Sequence, residues 1–418
     1  MILVVAFIVF LILGVPIGIT TGLSAIIAML SSGIGLGTAV QKMFAGVDSF
    51  TLMAIPFFIF AGDVMLQGGA SKKLVNFANK LFGWITGGLP ITAVISSMFF
   101  AALSGSSPAT VAGVGGVMIP NLMEKKYDKK FTVGLLCAAG SLGIVIPPSI
   151  TMMSYGVVSE QSISKLFIAA IVPGIFVGMS LIVYSYIYAR VKKHEKEEFP
   201  KFKEVVVAFG EAFFSILMPV IILGGIYLGF TTPTEAAAVS IVYSLVISIF
   251  IYKEIGFKDI LGIARKSVIT SAMIMFVIAS SNIFSWYLTF QQVPQKVAEA
   301  VLGIGSSPVL ILISINILLL FVGMIMDSSA AVLILTPLLL PIVTSIGVNP
   351  IHFGVIMIVN LSIGMLTPPF GLNLFVATGI SKLSLSDVIK GAMPFIGILI
   401  VDLMIITFIP QMSLFLVK

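Results

Sequence analysis

The chain has 418 residues, of which 59% are hydrophobic and only 10% are charged. A soluble domain carries about 25% charged residues, so this composition excludes an ordinary water-soluble fold and indicates a protein that faces the lipid bilayer. The net charge of +6 does not indicate binding of nucleic acid. Most lysines and arginines fall in short loops between apolar segments, where they set the orientation of the chain in the membrane.

The first apolar segment, residues 1–30, is long enough to cross a bilayer, which takes about 20 apolar residues. It is either one long tilted helix or two short segments separated near Gly14–Pro16. Further apolar segments follow along the whole chain, for example 167–188, 213–230 and 236–252. Because only helices or closed barrels can span a bilayer, the chain is predicted to be an all-α polytopic membrane protein.

A polar break interrupts the apolar segment at residues 89–121, whose middle reads SGSSP. Serine, glycine and proline disfavour the interior of a helix. Non-helical backbone persists at bilayer depth only where protein or a water-filled cavity surrounds it. The segment is predicted to be a re-entrant hairpin with its tip at Ser104–Ser107. One kinked spanning helix is the alternative.

The next segment, residues 131–155, is predicted to be a broken helix because it contains Pro147–Pro148. Proline lacks the backbone N–H group, so carbonyl oxygens one turn earlier lose their helical partners. Those carbonyls lie on SLGIVI, close in sequence to several hydroxyl groups. Hard cations prefer oxygen ligands. The pattern therefore predicts a site for a cation such as Na⁺.

The charged segment RVKKHEKEEFPKFKE, from residue 190 to residue 204, divides the chain into predicted repeats at 1–200 and 201–418. After it, the amphipathic stretch Phe202–Phe213 is either an arm along the membrane surface or a connecting loop. Glu235, which follows TTPT, is expected to cap a helix. His352, near a predicted helix start, is expected at the surface.

The second half repeats the motifs of the first at a constant offset of 221 residues, since 326–341 matches 105–120 and 362–374 matches 141–153. A second hairpin is therefore predicted at 309–345, with its tip at Met326–Ser329. A second broken helix is predicted at 351–378, around Pro368–Pro369.

The loops that follow the two hairpins differ in charge. Residues 124–130 are basic, whereas 346–350 contain no lysine or arginine. By the positive-inside rule the equivalent elements cross the membrane in opposite directions. Inverted repeats of this kind are typical of secondary transporters.

Asp327 is an acidic residue between apolar segments, and it aligns with Ser106 of the first half. It is predicted to face a ligand, to cap a helix, or both. The second helix of each hairpin points its N-terminus at the tip, where an anion is favoured. Thr151 and Asn373, after the two proline pairs, are further predicted contacts. We expect a ligand with one acid group and several hydroxyl or amide groups.

Four motifs in order resemble the large membrane (M) subunit of tripartite ATP-independent periplasmic (TRAP) transporters: GSSPATVAGVGGVMIPNL, SLGIVIPPSITMMSYG, MDSSAAVLILTPLLLPI and NLSIGMLTPPFGLNLF. The resemblance covers essentially the whole chain. It implies sodium-driven import of an organic acid, of the sialic acid or C4-dicarboxylate class, across the bacterial inner membrane. It also implies two partners, a small four-helix membrane subunit and a periplasmic substrate-binding protein.

The resemblance further implies an elevator mechanism, in which a transport domain carrying both hairpins moves against a scaffold. Both domains would be interleaved across the two repeats. The first sodium site would use Ser104, Ser107, Gly143 and Ile146. The second would use Gly323, Met326, Gly364 and Thr367. The substrate would lie near Ser106, Asp327 and Thr151.

The sequence leaves one alternative transporter open and indicates neither an enzyme nor a pump. A stand-alone sodium/dicarboxylate symporter, which needs no binding protein, is the alternative transporter. The sequence contains neither an HExxH motif nor a GxxxxGK[ST] loop, so a metalloprotease and an ATP-driven pump are not indicated. The chain is therefore not predicted to be an enzyme.

Overall fold

The computed structural model describes residues 2–293, 296 and 307–417, which form helices joined by turns and loops and contain no β-strand. The α-helices of the first half are α1 (Ile2–Ile12), α2 (Ile17–Ser31), α3 (Leu36–Val47), α4 (Ala54–Gln67), α5 (Ala70–Phe82), α6 (Gly88–Ser104), α7 (Ser107–Glu124), α8 (Lys129–Val145), α9 (Ile150–Val158) and α10 (Ile163–Val191). A 3₁₀ turn at Phe50–Met53 leads into α4.

The second half continues the helical pattern. Its α-helices are α11 (Phe202–Tyr227), α12 (Pro233–Val246), α13 (Phe257–Phe290), α14 (Pro308–Ile325), α15 (Ser328–Ser345), α16 (Pro350–Gly364), α17 (Leu372–Ser381), α18 (Leu385–Phe408) and α19 (Gln411–Leu414). A π-helical turn at Ile247–Ile251 extends α12.

Within the described part of the chain, eight helical segments are long and apolar enough to cross a bilayer, or nine if the bent pair α8–α9 is one span. The apolar surface agrees with a position in the membrane. Large side chains such as Phe202, Phe230 and Leu261 are mostly exposed on α11, α13 and the turn after α11. A surface of this kind fits lipid and not water. The prediction of an all-α polytopic membrane protein is confirmed.

The N-terminal segment forms two helices and not one tilted helix. Gly14 adopts a left-handed conformation with φ of 74°, and α2 begins directly after Pro16. Glycine takes this conformation without steric cost, and proline is well suited to the start of a helix. The two helices pack against each other and against α13, where the Phe7 and Phe284 rings lie 5.4 Å apart.

Two helical hairpins stand at equivalent places in the two halves. The first consists of α6 and α7, with Gly105 and Ser106 between them; the second consists of α14 and α15, with Met326 and Asp327 between them. The second helix of each hairpin begins at Ser107 or Ser328, 221 residues apart, which is the offset of the sequence repeat. Each hairpin is followed by a helix that breaks at a proline pair.

The two broken helices form the centre of the molecule. α8 is buried from Phe131 to Val145, and α16 is buried from Ile351 to Gly364. The part after each break packs on the hairpin of the other half, α9 on α15 and α17 on α7. This exchange joins the hairpins and broken helices of both halves into one packed unit. His352 lies in this buried region, so its predicted surface position is wrong.

The charged segment between the halves is held on α5. The Glu197 carboxylate accepts a hydrogen bond from the Asn79 amide at 3.0 Å, and the Glu204 carboxylate lies 2.7 Å from the Lys80 ammonium. The amphipathic stretch Phe202–Phe213 is the first half of the continuous helix α11. The alternative of a connecting loop is therefore wrong.

Helices α2, α3 and α4 pack against the long helix α13 and form a second wall facing the hairpins. Small residues allow close contact here, as expected between helices in a membrane. A Cβ atom placed on Gly22 would lie 3.2 Å from the Ser280 hydroxyl oxygen. Glu235 begins the neighbouring helix α12 in a capping box with Thr232, which confirms its predicted role.

Candidate functional site

A cavity of about 560 Å³ lies between the two hairpin tips and the wall formed by α2, α4 and α13. Residues 104–109 of the first hairpin and 327–330 of the second line it. Both tips therefore reach one space, although they are more than 200 residues apart in sequence. Ligand sites in membrane carriers are commonly built where paired helix breaks meet in this way.

The first hairpin tip packs directly on the broken helix α8. A Cβ atom on Gly143 would overlap the carbonyl oxygen of Ser106, so only glycine permits this contact. The Ser104 hydroxyl lies 3.0 Å from the Thr110 hydroxyl, and Thr110 donates to the Ser106 carbonyl at 2.8 Å. Hydroxyl and carbonyl oxygens are thus concentrated between the tip and the helix break.

Two further carbonyl oxygens at this break have no helical partner. An α-helix pairs each carbonyl with the N–H group four residues later. The residues four positions after Gly143 and Ile144 are Pro147 and Pro148, which have no N–H. Ile146, a predicted ligand residue, has extended backbone and ends α8. These oxygens and hydroxyls are chemically suited to a sodium ion.

The second hairpin tip packs in the same way on α16. A Cβ atom on Gly364 would overlap the backbone of Gly323. Met326 has extended backbone at the end of α14, and the Thr367 hydroxyl donates to the Ile363 carbonyl at 2.7 Å. The structure therefore brings the four residues predicted for the second sodium site to one tip and one helix break.

The carbonyls of the second break differ from the sequence-based expectation. The Gly364 carbonyl accepts from the Thr367 N–H at 3.0 Å, and the Met365 carbonyl accepts from the Asn373 N–H at 2.9 Å. These oxygens are not left without partners by Pro368–Pro369. A carbonyl oxygen has two lone pairs, so each still has one available for a cation.

One backbone hydrogen bond ties each tip to the chain beyond its proline pair. The Ile150 N–H donates to the Gly105 carbonyl at 3.3 Å, and the Phe370 N–H donates to the Met324 carbonyl at 3.2 Å. Each bond fixes the hairpin tip relative to the helix break of its own half. The two tips are thus held to their helix breaks by equivalent bonds, although the carbonyl oxygens of the two breaks differ in their partners.

The two helix N-termini at the tips differ in their caps. Asp327 caps α15 by accepting a hydrogen bond from the Ser329 N–H at 2.9 Å, so its carboxylate already occupies the positive end of that helix. Ser106 precedes α7 without a side-chain cap bond. The N-terminus of α7 is therefore the better position for a ligand anion. Asp327 both caps the helix and lines the cavity.

Other hydroxyl groups are available beside Asp327. The Ser328 hydroxyl is buried at the cavity wall and has no hydrogen-bond partner within the described residues. A buried polar group without a partner is costly, so such a group in a cavity suggests contact with a ligand or water. Thr151, a predicted contact, also lines the cavity.

The side chains of Asn373 and Ser107 are hydrogen-bonded to each other. The Ser107 hydroxyl donates to the Asn373 amide oxygen at 2.9 Å, and the Asn373 amide nitrogen donates to the Cys137 carbonyl at 3.1 Å. Asn373 is fully buried and is absent from the cavity wall among the described residues. The structure therefore gives the Asn373 side chain a structural role, which joins α17 to the first hairpin, and does not place it at the predicted substrate contact.

The polar groups on the opposite wall were not predicted from the sequence. Asp63 of α4 and Lys266 and Thr270 of α13 line the cavity. Asp63 is the only charged residue in AIPFFIFAGDVMLQ. A single charge in an apolar membrane segment indicates a functional residue, and this pattern could have identified Asp63. Lys266 is one of the basic residues that, from the sequence alone, indicate only the orientation of the chain in the membrane. The position of Lys266 opposite the hairpins depends on how α13 packs, and no local motif predicts that packing.

The comparisons with known proteins agree with this architecture. Residues 4–412 match the family described as tripartite ATP-independent periplasmic transporter, DctM component. A C4-dicarboxylate TRAP transporter large permease protein of Vibrio cholerae is 42% identical, over 96% of this chain and 94% of that protein. A sialic acid TRAP transporter large permease protein of the same organism is 36% identical, over 96% and 95%.

Two further matches extend the comparison. An isethionate TRAP transporter permease protein of Oleidesulfovibrio alaskensis is 42% identical, over 98% of this chain but 65% of that protein. The YdaH transporter of Alcanivorax borkumensis is similar in structure, with a TM-score of 0.65, 14% identity, and coverage of 88% and 86%. At this identity the second match supports the fold alone.

The family match covers nearly the entire chain, and the relatives at 42% and 36% identity are named as large permease proteins of TRAP transporters. The chain is a multi-pass membrane transporter subunit and not an enzyme, as the sequence predicts. It belongs to the DctM component family of the tripartite ATP-independent periplasmic transporters.

Proposed function

We propose that this chain imports an organic acid across the bacterial inner membrane by sodium symport and receives the acid from a periplasmic binding protein. The observation that carries the proposal is the single cavity lined by both hairpin tips. In it, an open helix N-terminus suited to an anion lies beside two oxygen-rich helix breaks suited to cations.

Charge supplies a reason for coupling to sodium. Two carboxylates, Asp63 and Asp327, line the cavity, and Lys266 is the one cationic side chain among the described lining residues. With all three ionised, the cavity has a net charge of −1. An anion enters such a space at a high electrostatic cost unless cations enter with it. Two sodium ions at the tips would reverse the sign and attract the acid group.

The substrate class follows from the relatives and from the tip. The relatives at 42% and 36% identity are named for C4-dicarboxylates and sialic acid, and the acid group that both kinds of substrate share fits the N-terminus of α7. We propose the C4-dicarboxylate class as the first candidate. Sialic acid is the second, since the carboxylate of Asp327 and the hydroxyl of Ser328 would bind its hydroxyl groups.

The two partners are proposed on the same basis. The isethionate relative, whose name joins two components as DctMQ, extends well beyond the region that this chain matches. A separate small membrane subunit would supply that part here. The stand-alone symporter would need neither partner.

We further propose that the hairpins and broken helices form a transport domain that moves against α2, α4 and α13, as in an elevator.

Uptake into proteoliposomes tests the proposal. The vesicles would contain this chain, its small subunit and the cognate binding protein, and would be given labelled succinate or sialic acid with an inward gradient of sodium or, as the control, of potassium. We expect uptake of one of the acids only with sodium and only with the binding protein. Equal uptake with both gradients would contradict sodium symport. Full uptake without the binding protein would favour the stand-alone symporter.

A further inference from the structure

The wall opposite the hairpin tips carries an ion pair. The Lys266 ammonium lies 3.2 Å from one carboxylate oxygen of Asp63, and the Ser267 hydroxyl donates to the other at 2.7 Å. All three residues belong to α4 and α13, the helices that face the tips across the cavity. Both Asp63 and Lys266 line that cavity.

The two partners of this ion pair differ in freedom. The Asp63 side chain is 13% exposed, whereas the Lys266 side chain is 60% exposed. Asp63 is fixed by two hydrogen-bond donors from α13, while Lys266 holds a single point charge on a flexible stem. If Lys266 moves away, Ser267 still donates to Asp63, so its carboxylate is not left without a partner.

Stability alone gives a weak account of this pair. An ion pair with one largely exposed member contributes little to folding stability. Its position is more informative, since Lys266 is the one cationic side chain among the described residues that line the cavity between the tips and this wall. An entering acid group meets two carboxylates, and Lys266 is the group that can offset one of them.

We infer that Lys266 binds the acid group of the substrate from the opposite wall, and that Asp63 holds the same ammonium when the cavity is empty. The substrate and Asp63 compete for one cation, so Asp63 favours release. This inference rests on the proposed organic-acid transport and adds to it a residue pair that sets affinity and release. The two charged residues of the α4–α13 wall would thus take part in substrate binding and release.

Four variants in proteoliposomes test the inference, with initial rates of labelled succinate uptake measured against concentration. Lys266→Gln is expected to raise KM about tenfold or more, because a hydrogen bond to a charged group is lost. Lys266→Arg retains the charge and is expected to stay within about threefold of wild type. Asp63→Asn releases Lys266 to the substrate, so KM should fall while kcat falls with slower release.

The matched control is Arg265→Gln, which removes a positive charge from the exposed neighbour of Lys266 that does not line the cavity. It should leave KM unchanged. Equal KM values for Lys266→Gln and Arg265→Gln would overturn the inference, as would an Asp63→Asn variant with a raised KM and a normal kcat. A monodisperse, thermally stable Lys266→Arg protein that matches Lys266→Gln in KM would also overturn it.

Binding separates this inference from the proposed function. The purified chain, together with its small subunit, would be titrated in nanodiscs with succinate and, in a second series, sialic acid, in sodium and in potassium. Binding that weakens in Lys266→Gln supports the inference even if sodium does not drive uptake, in which case only the coupling proposal fails. Equal binding by wild type and Lys266→Gln overturns the inference alone. No binding of either acid overturns both.

Discussion

Asp327 combines two roles that a single substitution to alanine would not separate. It accepts the Ser329 N–H bond as the cap of α15, and its carboxylate lines the cavity. Loss of an N-cap costs about 1 kcal/mol of stability. Asparagine keeps the acceptor but removes the charge, so it isolates the role of the carboxylate in the cavity.

We therefore expect Asp327→Asn to keep the thermal stability of wild type, whereas Asp327→Ala should lower it. In the Asn variant the inhibition of uptake by sialic acid should weaken about tenfold relative to inhibition by succinate. The reason is that hydroxyl groups lose a charged acceptor while a second carboxylate loses a repelling charge. Competition against uptake of the labelled substrate measures the inhibition constants of sialic acid and of succinate. If the ratio of the two inhibition constants is unchanged in a stable Asn variant, Asp327 acts only as a helix cap.

Individual residues also show what the sequence could not provide. The position of Ser106, Asp327 and Thr151 at the cavity wall could be predicted, because each stands next to a break that proline or glycine marks in the chain. Asn373 follows such a break too, but the turn into α17 buries its amide against Cys137. His352 is buried because α16 lies at the centre of the molecule. Burial of this kind depends on packing between distant helices.

At the scale of elements, the contact between a hairpin tip and a broken helix depends on glycine. A methyl group on Gly143 or Gly364 would overlap the backbone of the facing tip. Overpacking a tight contact costs about 1–3 kcal/mol, and here it would also separate the oxygens proposed to bind sodium. Gly143 and Gly364 should therefore be equally sensitive to substitution.

We expect Gly143→Ala and Gly364→Ala each to lower the thermal midpoint and to abolish the rise in stability that sodium gives the wild-type protein, since a ligand stabilises only the state that binds it. The control is Gly379→Ala in α17, where a Cβ atom would meet nothing within 4 Å. Thermal unfolding in sodium and in potassium provides the measurement. If either tip variant keeps a normal sodium response, the close contact is not part of a sodium site.

The elements themselves were largely readable from the sequence because their breaks are local. The proline pairs, the serine-rich tip and the repeat offset place both hairpins and both broken helices within a few residues of the structure. The wall of α2, α4 and α13 was not readable in this way. Its contacts, including Asp63 with Lys266, join segments about 200 residues apart without a shared motif.

At the scale of the whole molecule, the two halves exchange elements, since α9 packs on the second hairpin and α17 on the first. Such an exchange would let both tips move together as one body. It would also allow a single cavity to contain the proposed anion position and the two proposed cation positions. The proposed inversion of the repeats is what would place the two tips against each other from opposite faces.

Thiol labelling from each side of the membrane tests that inversion. Glu124 and Ser345 end α7 and α15, are both exposed, and lie 221 residues apart at equivalent positions. By the positive-inside rule, Glu124→Cys should react with an impermeant maleimide only from the cytoplasmic side, and Ser345→Cys only from the periplasmic side. The parent chain is the control, because its single cysteine, Cys137, is fully buried. Labelling of both variants from one side would mean that the halves run parallel, and the two tips could not then approach the cavity from opposite faces.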